Sequence, residues 1–143
     1  VARNVEIKAG VVARDTRESG ERMLLNFGHT VGHAIERVTG YQRYTHGEAV
    51  AIGMAVACRL GVRLGVTPVS VASLLPPVLA RLGLPSAAPE LAAADVAAAL
   101  VADKKNRSGK IHLVLLQEIG RATIVPLEEE RVVQMVSEVW QDV

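Results

Sequence analysis

Residues 21–64 read ERMLLNFGHTVGHAIERVTGYQRYTHGEAVAIGMAVACRLGVRL, and the fold follows from how apolar positions recur along this stretch. Met23, Phe27, Thr30, Ala34 and Val38 return at spacings of three and four, which predicts a helix from residue 21 to about 39 with Gly40 as its C-terminal stop. Residues 41–45 read as a short loop. From about residue 47 to 64 the next helix is apolar on most sides, so it is expected at the centre of the core with several neighbours packed on it.

Upstream, Val5, Lys8, Ala9 and Val12 share one side of an expected amphipathic helix over residues 1–14, and 15–20 form a polar break. Downstream, 65–68 is a turn, and 69–82 is a helix that must start or kink near Pro76 and Pro77. Residues 91–102 form an Ala-rich helix with Pro89 ahead of it and Asp95 near its first turn. A basic loop at 103–110 leads into two short β-branched runs, 111–116 and 121–126, which flank Gly120 as a hairpin. A last helix from about 128 to 140 opens with three acids, as a helix N-terminus favours. The expected fold class is mainly α: one helical domain over residues 1–143 with one small β-hairpin.

A chain of 143 residues, half of them apolar, can bury one sizeable core. The formal charge of +1 and the scattered basic residues give no footprint for nucleic acid or an anionic membrane, and leave a small anionic substrate open. Cys58 is the single cysteine, so no internal disulfide forms and a reducing compartment, the cytoplasm, is expected. The apolar run at 50–60 is interrupted by Gly53, Cys58 and Arg59 and falls short of the roughly 20 residues that a membrane span needs. No charged-then-apolar leader opens the chain, and its first residue is Val1 rather than Met, which suggests a fragment or a trimmed product. No G-x-G-x-x-G turn is present, since Gly28 and Gly32 fall inside a helix pattern.

Three of the four histidines lie between positions 29 and 46. His29 and His33, four residues apart, face one side of the expected helix, and His46 stands where the chain can turn back toward them. Imidazole is a favoured zinc ligand, and a catalytic zinc keeps about three protein ligands and one open position; packed or solvated histidines are the competing reading. Glu36 is open to three readings: a ligand, a partner that orients an imidazole, or a solvated helix charge. Glu48 lies near the same cluster. Arg22, Asn26, His29 and His33 follow spacings of four, three and four, so one helix face offers a cation, an amide and two imidazoles, suited to a polyhydroxylated anion. The alternative is a solvated polar face opposite Leu25 and Ile35. Lys104 and Lys105 either add positive charge for a phosphate or form a solvated basic turn, and His112 is expected to face solvent or a neighbour.

The run from Arg22 to Glu36, RMLLNFGHTVGHAIE, followed by HGEAVAIGM at 46–54, resembles the signature of dehydroquinate synthases. The likeness extends upstream through Ile7-Lys8-Ala9 and Val11-Val12 to Asp15–Glu18, and downstream to Asp103-Lys104-Lys105 and the hairpin ending at Ile119-Gly120. The resemblance implies zinc or cobalt held by His29 and His46. It implies His33, Asn26 and one of Lys104 and Lys105 on a substrate phosphate, and Arg22 and Lys8 on the substrate carboxylate and hydroxyls, with Glu18 a weaker candidate at the cleft edge. The implied reaction belongs to the shikimate pathway and cyclises 3-deoxy-D-arabino-heptulosonate 7-phosphate to 3-dehydroquinate. Bound NAD oxidises one carbinol transiently, phosphate is eliminated, the ketone is reduced again, and an intramolecular aldol step closes the ring.

By the same resemblance, an N-terminal nucleotide-binding half, absent from this sequence, holds NAD and supplies a glutamate as the third zinc ligand. That half is then a partner of the chain, the small-molecule partner is the sugar phosphate, and the full-length enzyme is a homodimer with no nucleic-acid or membrane partner. The isolated chain is expected to be inactive and to bind zinc weakly. The competing families are other sugar phosphate cyclases, which make deoxy-inosose or valiolone precursors, and, more distantly, iron-dependent or glycerol-type alcohol dehydrogenases. A helical interaction module or a regulatory remnant without chemistry is the reading from another class.

Overall fold

A computed structural model describes residues 2–14, 21–102 and 109–140. Its centre is an antiparallel helix hairpin, α2 (His29–Val38) and α3 (His46–Arg63). α3 is buried on most sides, as its sequence predicts: Ile52, Val56 and Leu60 are at most 1% exposed. Burying each such side chain stabilises the fold by about 1.5–3 kcal/mol relative to leaving it in water. The start of α3 is fixed by a capping box. Thr45 Oγ1 accepts from the Glu48 backbone N–H, and the Glu48 carboxylate accepts from the Thr45 backbone N–H at 2.8 Å. This makes His46 the first residue of the helix.

The single helix expected over 21–39 is instead two elements. A 3₁₀ helix, Glu21–Asn26, ends in a turn at Phe27 and Gly28 before α2 begins. Gly28 has φ +80°, in the left-handed region that no right-handed helix can continue through. A Cβ there would lie 2.6 Å from Met54 Cγ and 2.7 Å from the Val50 carbonyl oxygen, so the contact with α3 also demands glycine. Arg22 and Asn26 therefore stand on a different element from His29 and His33 and do not share one helix face with them. Gly53 meets the same crossing from the other side, where an added Cβ would stand 2.0 Å from the Gly28 carbonyl oxygen. The two helices thus approach nearly backbone to backbone.

Around this pair pack α6 (Ala93–Ala102), α7 (Glu129–Trp140) and a hairpin of β1 (Lys110–Glu118) with β2 (Arg121–Glu128). Val31, Ile35, Ile52, Leu60, Val96, Leu100, Ile111, Leu115, Val132 and Val136 form one continuous core, and Trp140 Nε1 donates to the Leu91 carbonyl at 2.9 Å. β1 supplies the buried strand; β2 carries Pro126 opposite His112 and stays at the outside. The register slips between Leu116 and Glu118. His112 is exposed, as expected.

Pro76 and Pro77 divide the 69–82 stretch into α4 (Val69–Ala72) and α5 (Leu75–Arg81), with proline in the first turn where its missing N–H is harmless. α1 (Ala2–Arg14) forms, but the face predicted to pack does not. Val11 is its buried residue, while Val5 and Ile7 are 61% and 56% exposed. α1 rests on the short 3₁₀ helix, which is too small to cover a full helical stripe. No helix among the described residues is long and apolar enough to cross a membrane.

Candidate metal centre

The hairpin register builds the site. Gly28 lies against Met54 and Gly32 against Val50, so each step of one turn along α2 moves one turn back along α3. One further turn brings Glu36 to His46. His29 and His33 occupy the first two turns of α2, on the side turned toward the start of α3. The ring centroids of His29 and His46 are 5.4 Å apart, those of His29 and His33 5.6 Å, and those of His33 and His46 6.0 Å. Three imidazoles from two helices thus form one cluster, His29 half-buried and the other two exposed.

Two of the rings are held in the same way. His46 Nδ1 lies 2.9 Å from Glu36 Oε1, and His29 Nδ1 lies 3.3 Å from the Phe27 carbonyl oxygen. A carbonyl oxygen and a carboxylate only accept, so each Nδ1 carries the proton and the neutral ring keeps its lone pair on Nε2. Metal-bound histidines have this pattern, with the far nitrogen tied to a carbonyl or carboxylate. His33 has no hydrogen-bond partner among the described residues. Burial lowers the His29 pKa, the Phe27 carbonyl opposes that by raising it, and the neighbouring His33 and His46 lower it further. The ring is therefore kept neutral, the form that can bind a cation.

A second trio, His33, Glu36 and His46, has donor atoms that all lie within 4.8 Å of one another. That closeness includes the Glu36–His46 hydrogen bond, which already occupies one donor of each. Outside that hydrogen bond, His29 and His46 keep Nε2 and His33 keeps both ring nitrogens unengaged among the described residues. Imidazole donors of this kind fit a zinc- or cobalt-type divalent cation.

The remaining described candidates for substrate contacts stand on other elements. Asn26 lines a small hollow with Gly28, Thr30, Val31, Gly53 and Leu113, at the opposite end of the hairpin from His46. Arg22 is half-buried on the 3₁₀ helix, and Lys8 is exposed on α1 with no hydrogen bond or ion pair among the described residues. Lys104, Lys105 and Glu18 lie outside the described residues. Glu48 is committed to the cap of α3 through Thr45. Sequence reasoning missed the clasp that steadies the loop before His46, in which the Tyr44 hydroxyl donates to Glu90 and Arg43 Nε pairs with the same carboxylate at 3.1 Å. No periodicity announces such a contact. The capping box was legible as T-x-x-E at 45–48.

Residues 1–106 match the family described as 3-dehydroquinate synthase C-terminal. The chain belongs to that family. The 3-dehydroquinate synthase of Thermoanaerobacter pseudethanolicus is 42% identical over 135 residues, covering 94% of this chain and 38% of the relative. That of Halorhodospira halophila is 47% identical over 124 residues, covering 87% and 35%. The chain thus spans little more than a third of the curated relatives it matches. Among solved structures, the 2-epi-5-epi-valiolone synthase of Streptomyces hygroscopicus subsp. jinggangensis, with NAD+ and Zn2+ bound, superposes with a TM-score of 0.80 at 26% identity, covering 99% of this chain and 39% of that one. A 2-deoxy-scyllo-inosose synthase complexed with carbaglucose-6-phosphate, NAD+ and Co2+ gives 0.77 at 25% identity, covering 94% and 38%. The mainly helical fold with one hairpin is the one expected of the dehydroquinate synthase C-terminal family.

Proposed function

We propose that the chain is the metal- and substrate-binding part of a cytoplasmic 3-dehydroquinate synthase, which converts 3-deoxy-D-arabino-heptulosonate 7-phosphate to 3-dehydroquinate with release of phosphate. The observation that carries the reading is the cluster of three imidazoles on two helices, in which His29 and His46 each have Nδ1 committed to an acceptor and Nε2 left over. When bound there, zinc or cobalt supplies Lewis acidity toward substrate hydroxyls and a fixed point for orienting them. His33, uncommitted at both nitrogens, donates to a phosphate oxygen. Arg22 grips the carboxylate in a forked geometry, with Lys8 on the carboxylate and hydroxyl side and Asn26 with one of Lys104 and Lys105 on the phosphate side. These groups hold the leaving phosphate in line, which is the positioning part of catalysis.

NAD is a cofactor of the whole enzyme in this reading, as it is bound in the two solved neighbours. The described residues offer no strand-to-helix glycine turn for it, so no step of its chemistry is assigned to this chain. The partner that holds NAD is the N-terminal half, and the full-length enzyme is a homodimer. Identities of 42–47% to 3-dehydroquinate synthases, against 25–26% to the other cyclases, support this substrate over a phosphate without a carboxylate.

The test is phosphate release from 3-deoxy-D-arabino-heptulosonate 7-phosphate, by the chain alone and by the full-length protein that contains it. The chain alone is expected to be inactive, and the full-length protein active with turnover abolished by His46→Ala. Full turnover by the chain alone contradicts the need for a second half. A full-length protein that cyclises only a carboxylate-free sugar phosphate makes it one of the other cyclases.

A further inference from the structure

The register of the α2–α3 hairpin delivers to the metal centre one acid whose role the sequence left open among three and the family resemblance did not assign. Glu36 is 7% exposed, and its Oε1 lies 2.9 Å from Nδ1 of His46, whose side chain is 58% exposed. A buried carboxylate must find a partner or lose much of the fold's stability, and among the described residues this one finds an imidazole. We propose that Glu36 is a positioning residue: it takes the Nδ1–H of His46 and so holds the tautomer and ring orientation that present Nε2 to the cleft shared with His29 and His33.

The inference deepens the metal-centre reading and rests on it. His29 needs no such side chain, because the Phe27 main-chain carbonyl takes its Nδ1–H. His46 opens α3 at an exposed helix start, where its ring has little packing to stop rotation. Ala34 and Ile35, at 4% and 0% exposure, anchor the turn of α2 that carries Glu36. The acid thus transmits the rigidity of the core to a surface ligand. In this proposal the carboxylate acts through His46 and is not itself a ligand of the cation, although its oxygen lies within 4.8 Å of donor atoms of His33 and His46.

Long-range 1H–15N spectra of the metal-free chain, taken above the imidazole titration, read the His46 tautomer directly. Chelator competition and the visible spectrum with Co2+ read the metal. The wild type is expected to show His46 protonated at Nδ1. Glu36→Ala is expected to shift the ring toward Nε2–H and to weaken Co2+ binding about 10- to 100-fold, with Glu36→Gln, whose amide oxygen still accepts, falling between. A wild-type His46 protonated at Nε2 overturns the proposal without any variant having to fold. So does a tautomer and Co2+ affinity unchanged in Glu36→Gln and Glu36→Ala, or an adduct bound through His46 Nδ1 with Glu36 as co-ligand. A tautomer that depends on Glu36 in a chain that takes up no Co2+ upholds the contact and removes the metal-centre reading instead.

Discussion

Cys58 is 1% exposed on α3, and burial pushes its thiol up to about 11. Since the thiolate is the reactive form, the folded chain is expected to resist a thiol reagent at pH 8 and to react fully once unfolded in denaturant. Rapid labelling of the native chain contradicts this placement. His29 gives a second residue-scale prediction. Its folded pKa lies below 6.5, so the unfolded chain takes up the proton first, and its contribution to stability is present above pH 6.5 and lost as pH falls through the window beneath. The urea midpoint of the metal-free chain should therefore fall on acidification from pH 7.5 to 5.5, and His29→Gln should flatten that fall. An equal fall in the variant assigns the acid sensitivity to other groups. At this scale the sequence showed which residues cluster, because helical spacing and the loop at 41–45 bring three histidines together. It left Glu36 open between three roles, because nothing local says that the acid points into the core while its neighbour Arg37 points out.

Helix spacing was less informative about where elements end. Apolar periodicity runs without interruption from Met23 to Val38, yet the chain breaks at Gly28 because α3 leaves no room for a side chain there. That cause lies in a residue pair distant in sequence, Gly28 against Met54, and local pattern cannot contain it. The same crossing makes Gly53→Ala a sharp probe, since the added methyl would meet backbone rather than a movable side chain. The variant is expected to lose about 1–3 kcal/mol in chemical denaturation, the usual cost of overpacking, and to weaken metal binding by spreading the two helices that carry the histidines. Wild-type stability in this variant contradicts the close approach. α1 makes the complementary point: its helix was legible, but its buried face was not, because Val5 and Ile7 have no described neighbour to cover them.

At the scale of the whole molecule, one helix hairpin does most of the work of the site: it carries the three imidazoles and Glu36, and the rest of the domain buries its back. The chain covers only 38% of the Thermoanaerobacter relative; turnover is the part of the proposal that calls on the full-length protein, while the metal centre can be examined in the chain itself. The measurement that bears most directly on the account is Co2+ and Zn2+ affinity, by chelator competition, for the wild type and for His29→Ala, His33→Ala and His46→Ala. The account predicts that the wild type binds weakly but measurably, that losing His29 or His46 removes most of the binding, and that losing His33 changes it little. No binding by the wild type, or a loss on His33→Ala as large as on His29→Ala, would contradict it.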